Sequence, residues 1–252
     1  MKVLFEKKGP LAYVTINRPE RLNACDGETY RRLTEVWREF RDDPALRVGI
    51  LTGTGDRGFC VGTDVKADDF ARLGAEPHNL PFARLSELDK PLIAAINGHA
   101  NGSGLEQALC CDLRVAAEHA QLGLGDARLG WLPAAGGTQR LSRLIPVGRA
   151  LELLYTGNRI GAQEALRLGL VDHVVPMSRL MSKCEEIAQE ICRGAPLAVQ
   201  GIKHAVLRGL DLPLAEGLKL EQELYQRLQG TADAREGARA FAAERPPQWK
   251  GE

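Results

Sequence analysis

Short, unbroken apolar runs that end in glycine-rich turns constrain this chain more than any other feature. Residues 48–51 (VGIL), 91–97 (PLIAAIN) and 113–117 (LRVAA) lack the strict alternation of a half-exposed strand. Runs of that length and texture fit strands covered on both faces. Glycine-rich turns follow the middle strands, beginning with 52–55 (TGTG). Helical patterns fill the gaps. Asp26 can cap a helix whose apolar face is Tyr30, Leu33, Trp37 and Phe40, spaced near the 3.6-residue period. Residues 3–6 and 11–17, parted by Lys7, Lys8, Gly9 and Pro10, read as a hairpin. Strands alternating with helices predict an α/β architecture with parallel pairing.

From about residue 178 the pattern turns almost purely helical. Ser178 is the expected cap of a helix with Leu180, Met181, Cys184, Ile187 and Ile191 on one face. Residues 196–207, 213–228 and 231–243 read as three more helices. Helices this short and amphipathic need a partner surface. Patterning alone leaves open whether that surface is the chain's own core or a neighbouring subunit.

Composition excludes several function classes. The 33 basic and 33 acidic residues cancel, so the basic surplus that neutralises phosphates is missing, and a nucleic-acid partner is not expected. Aromatic residues make up 5%, too few for a base-stacking platform. No run approaches the eighteen or so apolar residues that span a bilayer, and residues 1–10 lack a signal-peptide core. The cytoplasm is the expected compartment. Cys25, Cys60, Cys110, Cys111, Cys184 and Cys192 form no C-x-x-C pair. They read as reduced, mostly buried thiols, and no zinc site is expected.

Three glycine-rich segments carry the chemistry: 59–64 (FCVGTD), 97–104 (NGHANGSG) and 129–138 (LGWLPAAGGT). The second lies between a strand and an expected helix over 105–111, whose first N–H groups make an anion site. No Lys follows Gly104, so the segment is not a P-loop; Gln107 stands where a dinucleotide fingerprint needs glycine. Asn101 and Leu105 stand where a nucleophile elbow around Ser103 needs glycines. The remaining use is an oxyanion hole, two backbone donors aimed at a carbonyl oxygen, with residues 61–64 supplying the second donor. Glu106 and Asp126 are the carboxylates positioned to move protons there. Spacing by itself favours a solvated or capping acid for Glu106 and a turn acid for Asp126 over catalysis.

At this point the motifs resemble a known family. Residues 17–24 (NRPERLNA), 59–64, 91–98 (PLIAAING), 102–106 (GSGLE), 111–112 (CD) and 136–141 (GGTQRL) are similar to the crotonase (enoyl-CoA hydratase/isomerase) superfamily. So are 156–157, 161–165, 169–171 and 233–241 (DAREGARAF), in family order over nearly the whole chain. The resemblance implies an α/β, crotonase-like ββα spiral over 1–192 holding an acyl-CoA site, then a C-terminal helical trimerisation region over 193–252. It implies a homotrimer or a dimer of trimers (a homohexamer), an acyl-CoA thioester substrate, and a place in fatty acid metabolism. No cofactor is implied beyond the coenzyme A that is part of the substrate, and no metal. The thioester carbonyl would sit between the backbone N–H groups of Thr63 and Ser103. Arg21 and Leu22, with Thr63, Asp64, Val65 and Lys66, would cradle the nucleotide and pantetheine. Glu106 matches the residue that activates water, and Asp126 the one that protonates the α-carbon. The implied activity is hydration of a 2-enoyl-CoA.

Departures from the family pattern keep alternatives open. Asp126 stands where hydratases usually have Glu, one methylene longer, and Gly125 replaces a proline. Thr63 and Ser103 replace Gly or Ala, and their hydroxyls are either spectators or partners of substrate or water. Residues 133–137 (PAAGG) lack the carboxylate that isomerases and halide hydrolases of the family place there. A lyase, an isomerase or a decarboxylase using one acid, a hydratase of a cyclic or branched acyl group, and a non-catalytic binding protein are the competing readings. The loop 68–85, with Phe70, Leu73, Leu80 and Phe82, is expected to shape the acyl pocket.

Overall fold

The structure is a computed structural model and describes residues 1–69 and 88–252. The expected acyl-pocket loop, with Phe70, Leu73, Leu80 and Phe82, lies outside the described residues apart from its first two positions. The chain opens with a hairpin, β1 (Val3–Lys8) and β2 (Leu11–Ile16), followed by α1 (Gly27–Asp42), β3 (Val48–Gly53) and β4 (Gly58–Cys60). Then come β5 (Leu92–Ile96), β6 (His99–Asn101), α2 (Ser103–Cys110), β7 (Leu113–Ala117) and β8 (Gln121–Gly123). Next are α3 (Gly137–Leu144), α4 (Val147–Thr156), β9 (Arg159–Gly161), α5 (Ala162–Leu168) and β10 (His173–Val175). The chain ends in α6 (Leu180–Cys192), α7 (Pro196–Gly209), α8 (Leu214–Gln229) and α9 (Ala232–Ala242).

The strands form two sheets, one ordered β1-β2-β3-β5-β7-β10 and one ordered β4-β6-β8-β9. Among the described residues the β1/β2 and β8/β9 pairs are antiparallel and the other pairs are parallel. Each of β3, β5 and β7 lies in the long sheet and is followed by a short strand, β4, β6 or β8, in the second sheet. The chain therefore climbs as a spiral. The apolar runs owe their texture to this. In β5, Leu92, Ala94 and Ile96 face the core that holds Leu33, Val36 and Phe40 of α1. Ile93 and Ala95 face the opposite side, against Leu180, Cys184 and Ala188 of α6.

The sheet crossings need their backbone groups satisfied without a ladder. Asn97, at the β5–β6 corner, does this for the neighbouring β3–β4 corner. Its side chain donates to the carbonyls of Gly53 (2.9 Å), Gly55 (2.7 Å) and Gly58 (3.1 Å) and accepts from the Gly53 N–H (3.1 Å). Asn23, fully buried, donates to Thr54 O (3.0 Å) and Gly58 O (2.6 Å) and accepts from Arg18 N (2.9 Å).

Asp26 caps α1 as expected, its carboxylate accepting from the Thr29 N–H at 2.9 Å. Ser178 does not cap α6. Pro176 leads into a 3-10 turn, Met177–Arg179, so the helix begins only at Leu180. The helix expected over 105–111 starts earlier, with Ser103 as its first residue. In the tail, Lys203 of α7 donates to Asp112 Oδ2 (2.9 Å) and Lys90 O (3.0 Å), fastening that helix to the edge of β5. α8 buries no residue. All six cysteines are free thiols, five of them buried. Among the described residues no helix is long and apolar enough to cross a membrane, and no His/Cys/Asp/Glu group could hold a metal ion.

Replacing Asn97 with alanine takes a donor from the Gly53 carbonyl and the acceptor from the Gly53 N–H inside the fold, and leaves Gly58 O to Asn23. Asn97→Ala should lower the unfolding free energy by roughly 2–4 kcal/mol, measured as a lower urea midpoint at unchanged slope.

Candidate active site

The site is assembled where β4, β6 and β8 release the chain. Two glycines let the start of α2 approach β4. Gly102 takes φ 52°, a conformation that L residues rarely adopt. A Cβ on Gly104 would lie 1.9 Å from the Cys60 carbonyl oxygen. Ser103 is the first residue of α2, so its N–H has no intrahelical acceptor and points out of the helix start.

Glu106 lies one turn further along α2 and is 2% exposed. Its Oε1 accepts two backbone N–H bonds, from Ala135 and Gly137, both 2.8 Å. The loop can deliver both because Gly136 between them takes φ 107°. A Cβ on Gly137 would itself come within 3.0 Å of Glu106 Oε1. Burial raises the carboxyl pKa to about 7. The Gly137 and Ala135 amides and Arg140 oppose that rise, while the negative charge of Asp126 adds to it. A carboxyl balanced near neutrality can give up or take a proton at physiological pH.

Asp126 opens the 3-10 turn Asp126–Leu129 that follows β8. Its Oδ2 is buried and has no hydrogen-bond partner among the described residues. It lies 3.8 Å from where a Cβ on Gly102 would be, next to the start of α2. Burial raises its pKa too, against the pull of its own N–H. Two raised carboxyls whose charges sense each other can divide proton work between them.

Thr63 approaches the start of α2 from the other side. A parallel bridge to Cys25 uses the N–H and carbonyl of Cys25, bonding Gly62 O and Asp64 N at 2.8 Å each. That pairing leaves the N–H of Thr63 itself outside the bridge. A Cβ on Gly62 would stand 3.4 Å from Ser103 N, so the two candidate donors are neighbours. Their hydroxyls are 3.2 Å apart, and both lie within reach of the Tyr30 hydroxyl, at 2.9 Å from Thr63 and 3.2 Å from Ser103. They bond to one another and to Tyr30.

The same Cys25 bridge brings the segment holding Arg21 and Leu22 alongside Thr63, Asp64, Val65 and Lys66. Arg21 and Lys66 are exposed, as a group receiving an anion would be, and Val65 is exposed with them. Asp64 differs. It is buried, accepting from Arg18 Nη2 (3.0 Å) and from the Lys66 N–H (3.1 Å). Its side chain shapes the loop from within.

Two residues escaped the sequence reading. Arg18, partly buried, pairs with both Asp64 (3.0 Å) and Asp26 (3.3 Å), tying the loop to the cap of α1. Tyr30 lies on the apolar stripe of α1, but a core tyrosine must also find a partner for its hydroxyl, and that need is the available signal.

With this geometry in place, comparison identifies the family. The family model for enoyl-CoA hydratase/isomerase matches residues 6–252. The chain is 42% identical over 260 residues to (E)-benzylidenesuccinyl-CoA hydratase of Thauera aromatica, covering 100% of both chains. It is 40% identical over 252 residues to short-chain-enoyl-CoA hydratase of Clostridium acetobutylicum, covering 96% of this chain and 95% of that one. The crystal structure of an enoyl-CoA hydratase from Bacillus anthracis matches it with TM-score 0.96 at 39% identity, covering 100% of both chains. The chain belongs to the enoyl-CoA hydratase/isomerase family, the crotonase superfamily, and its two-sheet spiral is the crotonase fold.

The raised pKa of Glu106 has a consequence for stability. Between the ordinary value of 4.5 and about 7 the folded chain holds this proton more tightly than the unfolded chain does. Folding is therefore penalised progressively as pH rises through that window, by about 3 kcal/mol once it is passed. Glu106→Gln keeps an oxygen for both amides without the charge. Its melting temperature should exceed that of wild type by several degrees at pH 8 and approach it at pH 5, measured by calorimetry.

Proposed function

We propose that the protein adds water across the 2,3 double bond of an enoyl-CoA thioester, and catalyses the reverse dehydration. It is a hydro-lyase of the enoyl-CoA hydratase type, in keeping with relatives named as hydratases, and enzymes of this family act on acyl-CoA thioesters. The observation that carries the reading is Glu106. It is a buried carboxyl balanced near neutrality, gripped through one oxygen by Ala135 and Gly137.

In this mechanism the thioester carbonyl accepts from the N–H groups of Thr63 and Ser103. Glu106 takes a proton from water as the hydroxyl oxygen bonds to C3. The electron pair of the double bond moves onto the thioester, whose oxygen becomes enolate-like and is held by the two amides. Asp126 then delivers its proton to C2. Passage of the Glu106 proton to Asp126 through solvent resets the pair. Burial raises the proton affinity of Asp126, which suits a group that carries a proton to C2. Residues 133–137 supply amides to Glu106 in place of a second base, which favours hydration over double-bond migration.

Arg21, Leu22, Val65 and Lys66 would take the nucleotide and pantetheine, with Asp64 acting on that surface through Arg18. The chemistry requires no metal and no cofactor beyond the coenzyme A of the substrate. Residues 193–252 are proposed as the oligomerisation region of a homotrimer or dimer of trimers, completing the spiral core of 1–192. Exposed Ile202 and Val206 on α7, Leu210 just past its end and Leu218 on α8 support that assignment. The proposed setting is cytoplasmic fatty acid metabolism.

The test is a panel of 2-enoyl-CoA thioesters assayed by loss of the conjugated-thioester absorbance. Wild type should hydrate at least one of them, and Glu106→Gln should lose about 10³-fold or more in kcat. Asp126→Asn should lose activity that Asp126→Glu partly keeps; an undiminished Asp126→Asn would favour a one-acid lyase or isomerase. Tight CoA-thioester binding without hydration of any member would overturn the reading.

A further inference from the structure

Three hydroxyls close a ring behind the site. Tyr30, Thr63 and Ser103 stand with O···O separations of 2.9, 3.2 and 3.2 Å. The three carry three protons, so each can donate one bond and accept one. Such a ring is satisfied within itself, which matters because Tyr30 is 3% exposed and Ser103 9%. Burial, reinforced by the nearby Cys25 and Cys60 thiols, keeps the Tyr30 phenol protonated.

The ring joins three separate elements: α1 through Tyr30, the turn after β4 through Thr63, and the first residue of α2 through Ser103. Thr63 and Ser103 are 40 residues apart in sequence, and no peptide linkage holds their N–H groups at a fixed separation. Their hydroxyls branch from the residues that carry those N–H groups. A bridge between the hydroxyls therefore constrains the distance between the amides. The hub is itself anchored, because α1 begins at Asp26, whose carboxylate shares the Arg18 guanidinium with Asp64.

We propose that Tyr30 is a positioning residue that sets the spacing of the two carbonyl-binding amides by bridging the hydroxyls of Thr63 and Ser103. The proposal rests on the assignment of those amides as the oxyanion hole. Charge on the carbonyl oxygen develops in the transition state, so a misplaced donor weakens that state more than the bound substrate. Loss of the bridge acts on kcat and spares KM. The hydroxyls of Thr63 and Ser103 serve this frame and do not contact the acyl group.

The experiment combines Tyr30→Phe with a double-alanine background, Thr63→Ala/Ser103→Ala. Tyr30→Phe keeps the ring packing and removes only the phenolic oxygen. It should lower kcat for enoyl-CoA hydration about tenfold with KM within about twofold. It should also shrink the red shift of a bound 3-aryl-2-propenoyl-CoA, whose absorbance reports carbonyl polarisation. In the double-alanine background Tyr30→Phe should change neither kcat nor the shift further. Unchanged kcat and red shift in Tyr30→Phe, with only a lower melting temperature, would overturn the proposal. So would an equal loss in both backgrounds. A wild type that polarises the probe but hydrates no enoyl-CoA would overturn the hydratase reading alone, with the red shift still deciding the role of Tyr30. A wild type that does not bind the probe would remove both.

Discussion

A carboxylate enclosed in protein survives only where donors meet it, and Glu106 is met by two amides of one short loop. Ala135 and Gly137 both bond Oε1 at 2.8 Å, and the turn that aims them depends on Gly136 at φ 107°. The grip offsets part of the desolvation cost and leaves the rest as an elevated proton affinity. Geometry and basicity thus have one source. Stronger donors would turn Glu106 into an inert anion, and none would leave it a neutral acid at every working pH.

That grip requires the start of α2 to be held still, and the spiral provides the support. A long sheet buried on both faces forces each turn of chain to cross to the second sheet, and the crossings end at the site. Asn97 and Asn23 satisfy the carbonyls exposed at those corners, and Arg18 ties the loop of Asp64 to the cap of α1. Gly104 lets α2 approach the Cys60 carbonyl more closely than any side chain permits.

How far the sequence revealed this follows from which contacts are local. Both-face burial of 91–97 is written in an unbroken apolar run, and the cap at Asp26 has a local signature, so β1, β2, β3, β5, β7 and α1 were legible, while α2 begins two residues before its expected start. Glu106 and Asp126 stood out once the glycine-rich turns were read together. Ser178 failed as a cap because a proline two residues earlier redirects the backbone, a local effect that competes with capping. Tyr30, Arg18 and the buried role of Asp64 depend on partners up to 73 residues away, which periodicity does not reveal. It is the neighbouring Arg18 guanidinium that turns the Asp64 side chain inward.

The central claim is that burial and two amides hold Glu106 near neutrality. Carbon-13 NMR titration of the side-chain carboxyls, with the Glu106 resonance assigned by its loss in Glu106→Gln, measures this directly. A midpoint near pH 7 agrees with the account. A midpoint near the ordinary 4.5 would contradict it, because Glu106 would then be a solvated anion with no special basicity.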